Sequence, residues 1–444
     1  MQPAASHISS SPMQRLGAIH RCLVVPRDDA VVAPSSTATS DAVHEDLDLE
    51  RFRREGYLIL RNVIPAALLD PLRVSAERAL LQRWPDGIQP EQWQPMIHGL
   101  EQYVDDCSAN LIDLCFHPNV LGPTTQLMGG AEVGLAAAFM MYNPVADHGP
   151  WWWHRDVNTD ANGTKGPLGG LILDNVANGC CYLHFNIALW PDETLWVVPG
   201  SHCRPNTAEE DAQLNSVPHH YSNGQQPQGG QDAPRHTPLP GSVCVQLNAG
   251  DAIVNQLELF HWGSDYSPKH TRRTYHLGYR SFNGARFAGY EGFRNGTLPD
   301  KLHHFAPHTQ AHLTRSLALY NDECVALAAT CRAAIDKNAA GFRRGIAKLH
   351  PAVAGRSTAL VHLSRMAANI KQYLNDSDIG LFTAEDLELL STRFACVDTL
   401  LKTESSTGQE WSPGFQLKGP SRYKIVDMPG EISVDAVVQS WAGQ

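Results

Sequence analysis

Between about residues 130 and 295 the chain breaks into short apolar stretches separated by Gly, Pro and Asn. They read "VGLAAAFMMYN", "PWWWHRDV", "YLHFNIALW", "TLWVVPGSH", "GSVCVQLNAGDAIVNQ" and "TRRTYHLGYRSF". Many short strands with such punctuation point to an all-β sandwich or barrel. On either side the texture is helical. "LERFRREGYLILRNVIPAALLDPLRVSAERALLQRW" predicts a helix, a short strand, a turn and a long helix behind a proline start. Beyond about 300, "TRSLALYNDECVALAATCRAAI", "STALVHLSRMAANIKQYL" and "TAEDLELLSTRFACVDTLL" read as helices, with apolar stripes to bury on the β core or a second subunit. The expected organisation is a disordered leader over 1–44, a β domain over 45–298 interrupted by a polar Gly/Gln-rich loop at 203–240, and a helical extension over 299–444 packed on the core.

Composition narrows the partners. A formal net charge of −11 disfavours nucleic acid and anionic membrane, since both attract basic surfaces. No apolar run is long enough to span a bilayer. Ten cysteines are scattered without a CxxC pair, which fits a reducing compartment, and the expected location is cytoplasmic. The first forty residues carry Arg15, Arg21 and Arg27 before any acidic residue, so an organellar transit segment is the second reading of the leader.

The chemistry begins at "GPWWWHRDVNTD", residues 149–160. On a strand, positions i and i+2 share a face. Trp152, His154 and Asp156 therefore project together, with Trp152 walling a substrate pocket, while Trp151, Trp153 and Arg155 face the other way and pack. One imidazole and one carboxylate are half of the 2-His-1-carboxylate triad of non-haem Fe(II) oxygenases. "GDAIVNQLELFHWGSDYSPKHTRRTYHLGYR" offers the missing ligand, His261, and a cation on the next strand, Arg272. Three protein ligands leave three iron positions: two for the keto and C1 carboxylate oxygens of a 2-oxo acid, one for O₂. The far carboxylate of 2-oxoglutarate then needs a planar guanidinium to grip it.

By alternation Arg272, Thr274 and His276 share one face, and Arg273, Tyr275, Leu277 and Tyr279 the other. His184 and Asn186 also share a face. If it is inward, Asn186 hydrogen-bonds the co-substrate C1 carboxylate; otherwise it packs. Tyr142 has the same two readings. Trp262 points away from the metal and packs, and His202 caps a turn beside the site. The pairs His219-His220 and His303-His304 read as solvated.

Four segments in order resemble the phytanoyl-CoA dioxygenase family of Fe(II)/2-oxoglutarate oxygenases over about residues 46–285. They are "FRREGYLILRNVIPAALLDPLR", "WHRD", "NIALWPDETLWVVPGSH" and "GDAIVNQLELFHWGSDYSPKHTRR". The resemblance implies a double-stranded β-helix (jelly roll, cupin-like), with His154, Asp156 and His261 as iron ligands and Arg272 as the 2-oxoglutarate clamp. It implies Fe(II), 2-oxoglutarate and O₂ as cofactors, with ascorbate as a possible reductant. The expected reaction oxidises, by default hydroxylates, a C–H bond of a small-molecule or natural-product substrate and releases succinate and CO₂. Desaturation, epoxidation or ring closure at the same centre, or an inactive cupin-like metal binder, are the alternatives. Related halogenases carry a small residue where this chain has Asp156, so oxygenation is implied. The chain departs from the pattern at Arg155, where many members have Gln, and at "PDET", where an Asn-Gly turn is usual. A coenzyme A thioester substrate is accordingly not carried over.

Overall fold

The computed structural model describes residues 47–130, 132–151, 153–154, 182–203, 237–282, 297–349, 376–404 and 433–443, with 207, 209–210, 360, 363, 367 and 370–374 between them. The leader, Trp152, Arg155, Asp156, His219, His220 and most of the 203–240 loop lie outside the described residues.

Asp48 caps the first helix, α1 (Leu49–Glu55), by accepting the Arg51 amide, and Gly56 ends it at φ 83°. Glycine adopts that left-handed conformation without penalty, and a Cβ there would strike the His202 ring. A short strand β1 (Tyr57–Leu60) and a long helix α2 (Ala66–Arg83) follow. Next come β2 (Met96–His98), the helices α3 (Asn110–Cys115) and α4 (Pro118–Leu127), then β3 (Val133–Tyr142) and β4 (Tyr182–Ala188). Short strands β5 (Leu195–Val197), β6 (Val243–Cys244), β7 (Ala252–Asn255) and β8 (His261–Gly263) lead to the long β9 (Arg273–Ser281). They form a six-stranded sheet ordered β1-β7-β4-β9-β3-β2 and a three-stranded sheet ordered β6-β5-β8. All these pairings are antiparallel. The core is thus antiparallel β with flanking helices.

Alternation divides the larger sheet into two chemically different faces. Ile97, Met140, Tyr142, Phe185, Tyr275 and Tyr279 join the main apolar core with residues of α2, α3 and α4. The buried tyrosines keep their hydroxyls paired there. Tyr275 donates to the Leu111 carbonyl at 2.7 Å and Tyr279 to the Cys115 carbonyl at 2.5 Å. Burial pushes the nearby Cys115 thiol up to about 12, which keeps it protonated and inert. The opposite face carries His98, Phe139, Met141, His184, Asn186 and His276. These line a cavity together with Leu195, His261 and Gly263 of the smaller sheet.

The helical tail completes the apolar side. Helix α5 (Pro307–Ile335) contributes Leu313, Tyr320, Cys324, Leu327 and Cys331 to the same core. Arg280 of β9 reaches Glu323 on this helix at 2.6 Å. Helices α6 (Ala339–Leu349), α7 (Ala384–Glu404) and α8 (Val434–Ser440) follow, joined through the Phe342, Phe394 and Trp441 rings.

One expected strand is not regular. Among the described residues of "PWWWHRDV", only His154 forms a β-bridge, to His261. The Trp151 amide reaches the Gly263 carbonyl, one residue out of the register which that bridge sets. Period-two alternation therefore does not hold from 151 to 154.

The turn before β7 holds β1 against the sheet. The Gly250 carbonyl accepts the Ile64 amide, and the buried Asp251 carboxylate accepts the Asn62 and Asn248 amides at 3.0 and 2.9 Å and Arg61 at 2.6 Å. Burial pushes this carboxyl up, but the Asn62 amide and Arg61 outweigh it and hold it below the usual range. Its contribution is full at neutral pH and is lost as pH falls through the depressed value. Asp251→Ala strands two backbone donors and is expected to cost about 1–3 kcal/mol at pH 7. In urea melts the gap from wild type should close as pH falls below the carboxylate range.

Candidate metal centre

His154 and His261 exchange backbone hydrogen bonds in both directions, each at 2.9 Å. Residues paired this way across antiparallel segments turn their side chains to the same side. Their rings accordingly lie 4.2 Å apart between centroids. The Nδ1 of His261 lies 2.9 Å from the Leu259 carbonyl. A carbonyl only accepts, so Nδ1 carries the proton and Nε2 keeps its lone pair for a ligand role.

Local sequence explains how the pair is aimed. Pro199-Gly200 turns the chain after β5, with Gly200 at φ 75°. The Ser201 hydroxyl that follows accepts the Phe260 amide at 2.8 Å, next to His261. Trp153, Phe260 and Trp262 form a buried aromatic cluster with Val198 and Leu239 behind the two histidines. The Trp262 indole donates to the Trp151 carbonyl at 2.6 Å and the Trp153 indole to the Thr237 carbonyl at 3.0 Å. Trp153 and Trp262 pack, as the sequence predicts. Trp151 does not face outward as expected. It lines the cavity, stacked on Trp93 at 3.4 Å, because the register slip before His154 reverses its side.

The cavity has a volume of about 230 Å³, and Arg272, Asn186, His184 and His276 line it with the histidine pair. The Arg272 amide donates to the Asn143 side-chain oxygen at 3.1 Å, and its Nε donates to Asp192 at 2.9 Å. Burial works against charge at both groups. The neighbouring opposite charge prevails, so the Asp192 carboxyl lies below its ordinary range and the Arg272 guanidinium above its own. Asn186 is buried, and its Oδ1 has no hydrogen-bond partner among the described residues.

One expected residue does not join this group. Tyr142 lies on the helix-facing side of β3, one residue out of phase with Met141. Its hydroxyl donates to the Ala76 carbonyl at 2.7 Å, and burial raises its phenol far above the ordinary range. The expectation that it touches the co-substrate is therefore corrected. Asp156 and Trp152 lie outside the described residues. His202 packs against the end of α1, its Nε2 3.1 Å from the Arg53 carbonyl. His303 is exposed, whereas His304 bonds Asp106 at 2.5 Å.

The structure also adds residues. His276 Nδ1 lies 3.2 Å from His184 Nε2, and the Phe139 ring stacks on His276 at 4.6 Å and meets His98 at 5.1 Å. This row of rings floors the cavity across four adjacent strands. The shared face of Arg272 and His276 signals it in the sequence; its extension to His98 and Phe139 follows from pairing alone.

The donor set fits an iron site. Two imidazoles face one cavity, a buried amide oxygen awaits a partner, and a held guanidinium stands nearby. No group of three His, Cys, Asp or Glu side chains placed to hold a metal occurs among the described residues. No described helix is long and apolar enough to cross a membrane.

Solved structures with similar chains include "non-heme alpha ketoglutarate dependent carbocyclase SnoK from nogalamycin biosynthesis", at 17% identity, covering 61% of this chain and 94% of that one with a TM-score of 0.38. EctD from S. alaskensis is 18% identical, with 60% and 86% covered and a TM-score of 0.38. HygX from Streptomyces hygroscopicus, solved with nickel and 2-oxoglutarate bound, is 15% identical, with 52% and 85% covered and a TM-score of 0.39. No protein of curated function matches the chain. The family model for phytanoyl-CoA dioxygenase (PhyH) matches residues 52–274, half of the chain, from α1 to the start of β9. The chain belongs to the phytanoyl-CoA dioxygenase (PhyH) family and is a 2-oxoglutarate-dependent non-haem iron oxygenase using Fe(II), 2-oxoglutarate and O₂.

Proposed function

We propose that His154, Asp156 and His261 hold the iron, that Arg272 binds the far carboxylate of 2-oxoglutarate, and that the enzyme hydroxylates a C–H bond of a small-molecule or natural-product substrate. The two facing sheets are read as the halves of a double-stranded β-helix. What supports this is one observation: both imidazoles, the Arg272 guanidinium and the Asn186 amide line the same cavity.

When bound, iron with 2-oxoglutarate and O₂ supplies the oxidising chemistry, and the co-substrate leaves as succinate and CO₂. The chain's own residues hold and orient. The Leu259 carbonyl keeps the His261 proton on Nδ1. Asp192 takes the Nε edge of Arg272, which leaves the Nη edge for a carboxylate. Asn186 offers its amide to the C1 carboxylate, since its carbonyl and amino ends exchange by a flip of the side chain. Trp151, backed by Trp93 and flanked by Tyr266, walls the cavity, and Trp152 is retained as a substrate contact. Substrate placement, not metal ligation, chooses between hydroxylation and desaturation, epoxidation or ring closure. A buried guanidinium beside two metal-ligating imidazoles serves a co-substrate, and an inactive cupin-like metal binder has no use for it. The scattered cysteines support a cytoplasmic setting.

The test is succinate release from 2-oxoglutarate with Fe(II) and ascorbate, which proceeds slowly even without the true substrate. His154→Ala, Asp156→Ala and His261→Ala are expected to lose more than about 100-fold of it, as ligand loss exceeds the cost of removing an outer-shell partner. Arg272→Ala should weaken 2-oxoglutarate binding by about 100-fold. Wild-type protein that neither binds nor consumes 2-oxoglutarate when loaded with iron anaerobically ends the proposal.

Asn186→Ala should raise the 2-oxoglutarate KM about tenfold, the worth of one hydrogen bond to a charged group. Tyr142→Phe is the contrast. It should leave that KM unchanged and lower stability by about 1 kcal/mol in thermal melts.

A further inference from the structure

Arg272 lines two cavities. One is the small cavity of the histidine pair; the other, about 1180 Å³, lies beyond it and is lined also by Asp192, Glu193, Trp190 and His270. Asp192 borders the outer cavity only. The Arg272–Asp192 ion pair is buried, with side chains 11% and 6% exposed. It forms the partition between the two spaces.

Both members are held by more than each other. Asp192 exchanges backbone hydrogen bonds with Leu247 at 2.9 Å in each direction, and its Oδ1 accepts the Thr194 amide at 2.9 Å. These contacts come from "PDET", the stretch where the sequence departs from an Asn-Gly turn. At the other end the Arg272 carbonyl accepts the Asn143 amide at 3.2 Å, and the Arg272 amide returns a bond to the Asn143 side chain. With Nε committed to Asp192, the acceptor of Nη1 among the described residues is the Met141 sulfur, a weak one, at 2.9 Å, and the Tyr266 ring lies 5.8 Å from the guanidinium.

We propose that Asp192 is a positioning residue for Arg272 and, through it, sets the length of 2-oxo dicarboxylate that the site admits; this rests on the co-substrate role proposed for Arg272. A guanidinium tied at Nε cannot turn in its plane, so its Nη edge is a fixed stop. A dicarboxylate whose far end meets that edge gains two parallel charge-assisted hydrogen bonds. A longer one must push its carboxylate past the edge toward Asp192. There two negative charges meet in a buried site with little water to screen them.

The test compares wild type, Asp192→Asn and Asp192→Ala, loaded with Fe(II) under anaerobic conditions and titrated calorimetrically with 2-oxoglutarate and with 2-oxoadipate. Steady-state succinate release gives KM and kcat. Asn has one oxygen to offer Nε, gives up the acceptor that holds the Thr194 amide, and removes the charge. Asp192→Asn should hold 2-oxoglutarate affinity within about threefold while the preference over 2-oxoadipate falls about tenfold, the size of one relieved charge contact. Asp192→Ala should raise the 2-oxoglutarate KM about tenfold or more with kcat little changed, the signature of lost ground-state positioning. If Asp192→Ala does not fold, the selectivity of Asp192→Asn decides. Wild-type affinities and selectivity in the folded variants would falsify the role of Asp192 and leave that of Arg272 standing. Wild-type protein that binds neither acid removes the co-substrate proposal, and this inference with it.

Discussion

Two backbone hydrogen bonds, exchanged between His154 and His261, hold the centre together. His154 lies on an irregular segment and His261 at the start of a three-residue strand, so neither would be well aimed alone. Reciprocal bonding forces both side chains to one side, and the aromatic cluster of Trp153, Phe260 and Trp262 seals the other. The cavity, its guanidinium and its floor of rings all take their positions relative to this junction.

The larger sheet serves two solvents at once. One face is dry, and its tyrosine hydroxyls reach through to the carbonyls of α2 and α3. The other carries imidazoles and an amide toward the cavity. Neighbouring residues of one strand therefore belong to unlike environments. Tyr275 and His276 are adjacent, yet one anchors a helix and the other floors the site.

What was legible in the sequence was whatever strict alternation controls. Arg272 with His276, and His184 with Asn186, fall on the cavity face because β9 and β4 are regular there. Tyr142 was ambiguous because the phase of a strand is not written in the strand itself. Pairing with β9 and the apolar demand of α2 decide it. Trp151 escapes the alternation rule for a different reason: a one-residue slip between an irregular segment and the short strand β8 leaves no pattern in the sequence. Asp192 is signalled in the sequence by the departure at "PDET" alone, which names no partner for it. Its partner is distant along the chain, and a carboxylate in a turn reads as solvated until packing buries it.

Helix α5 has a consequence for where the enzyme ends as a physical object. The matched family region stops at residue 274, partway into the sequence of β9. The apolar face of β3 is covered by α5, and Arg280 is neutralised by Glu323 from the same helix. A chain cut at the edge of the recognisable region would lose most of β9 and leave a sheet face bare to water. An oxygenase trimmed to its family signature would lose a central strand of its larger sheet together with the helix that covers that sheet, because both are encoded past the point where the resemblance ends.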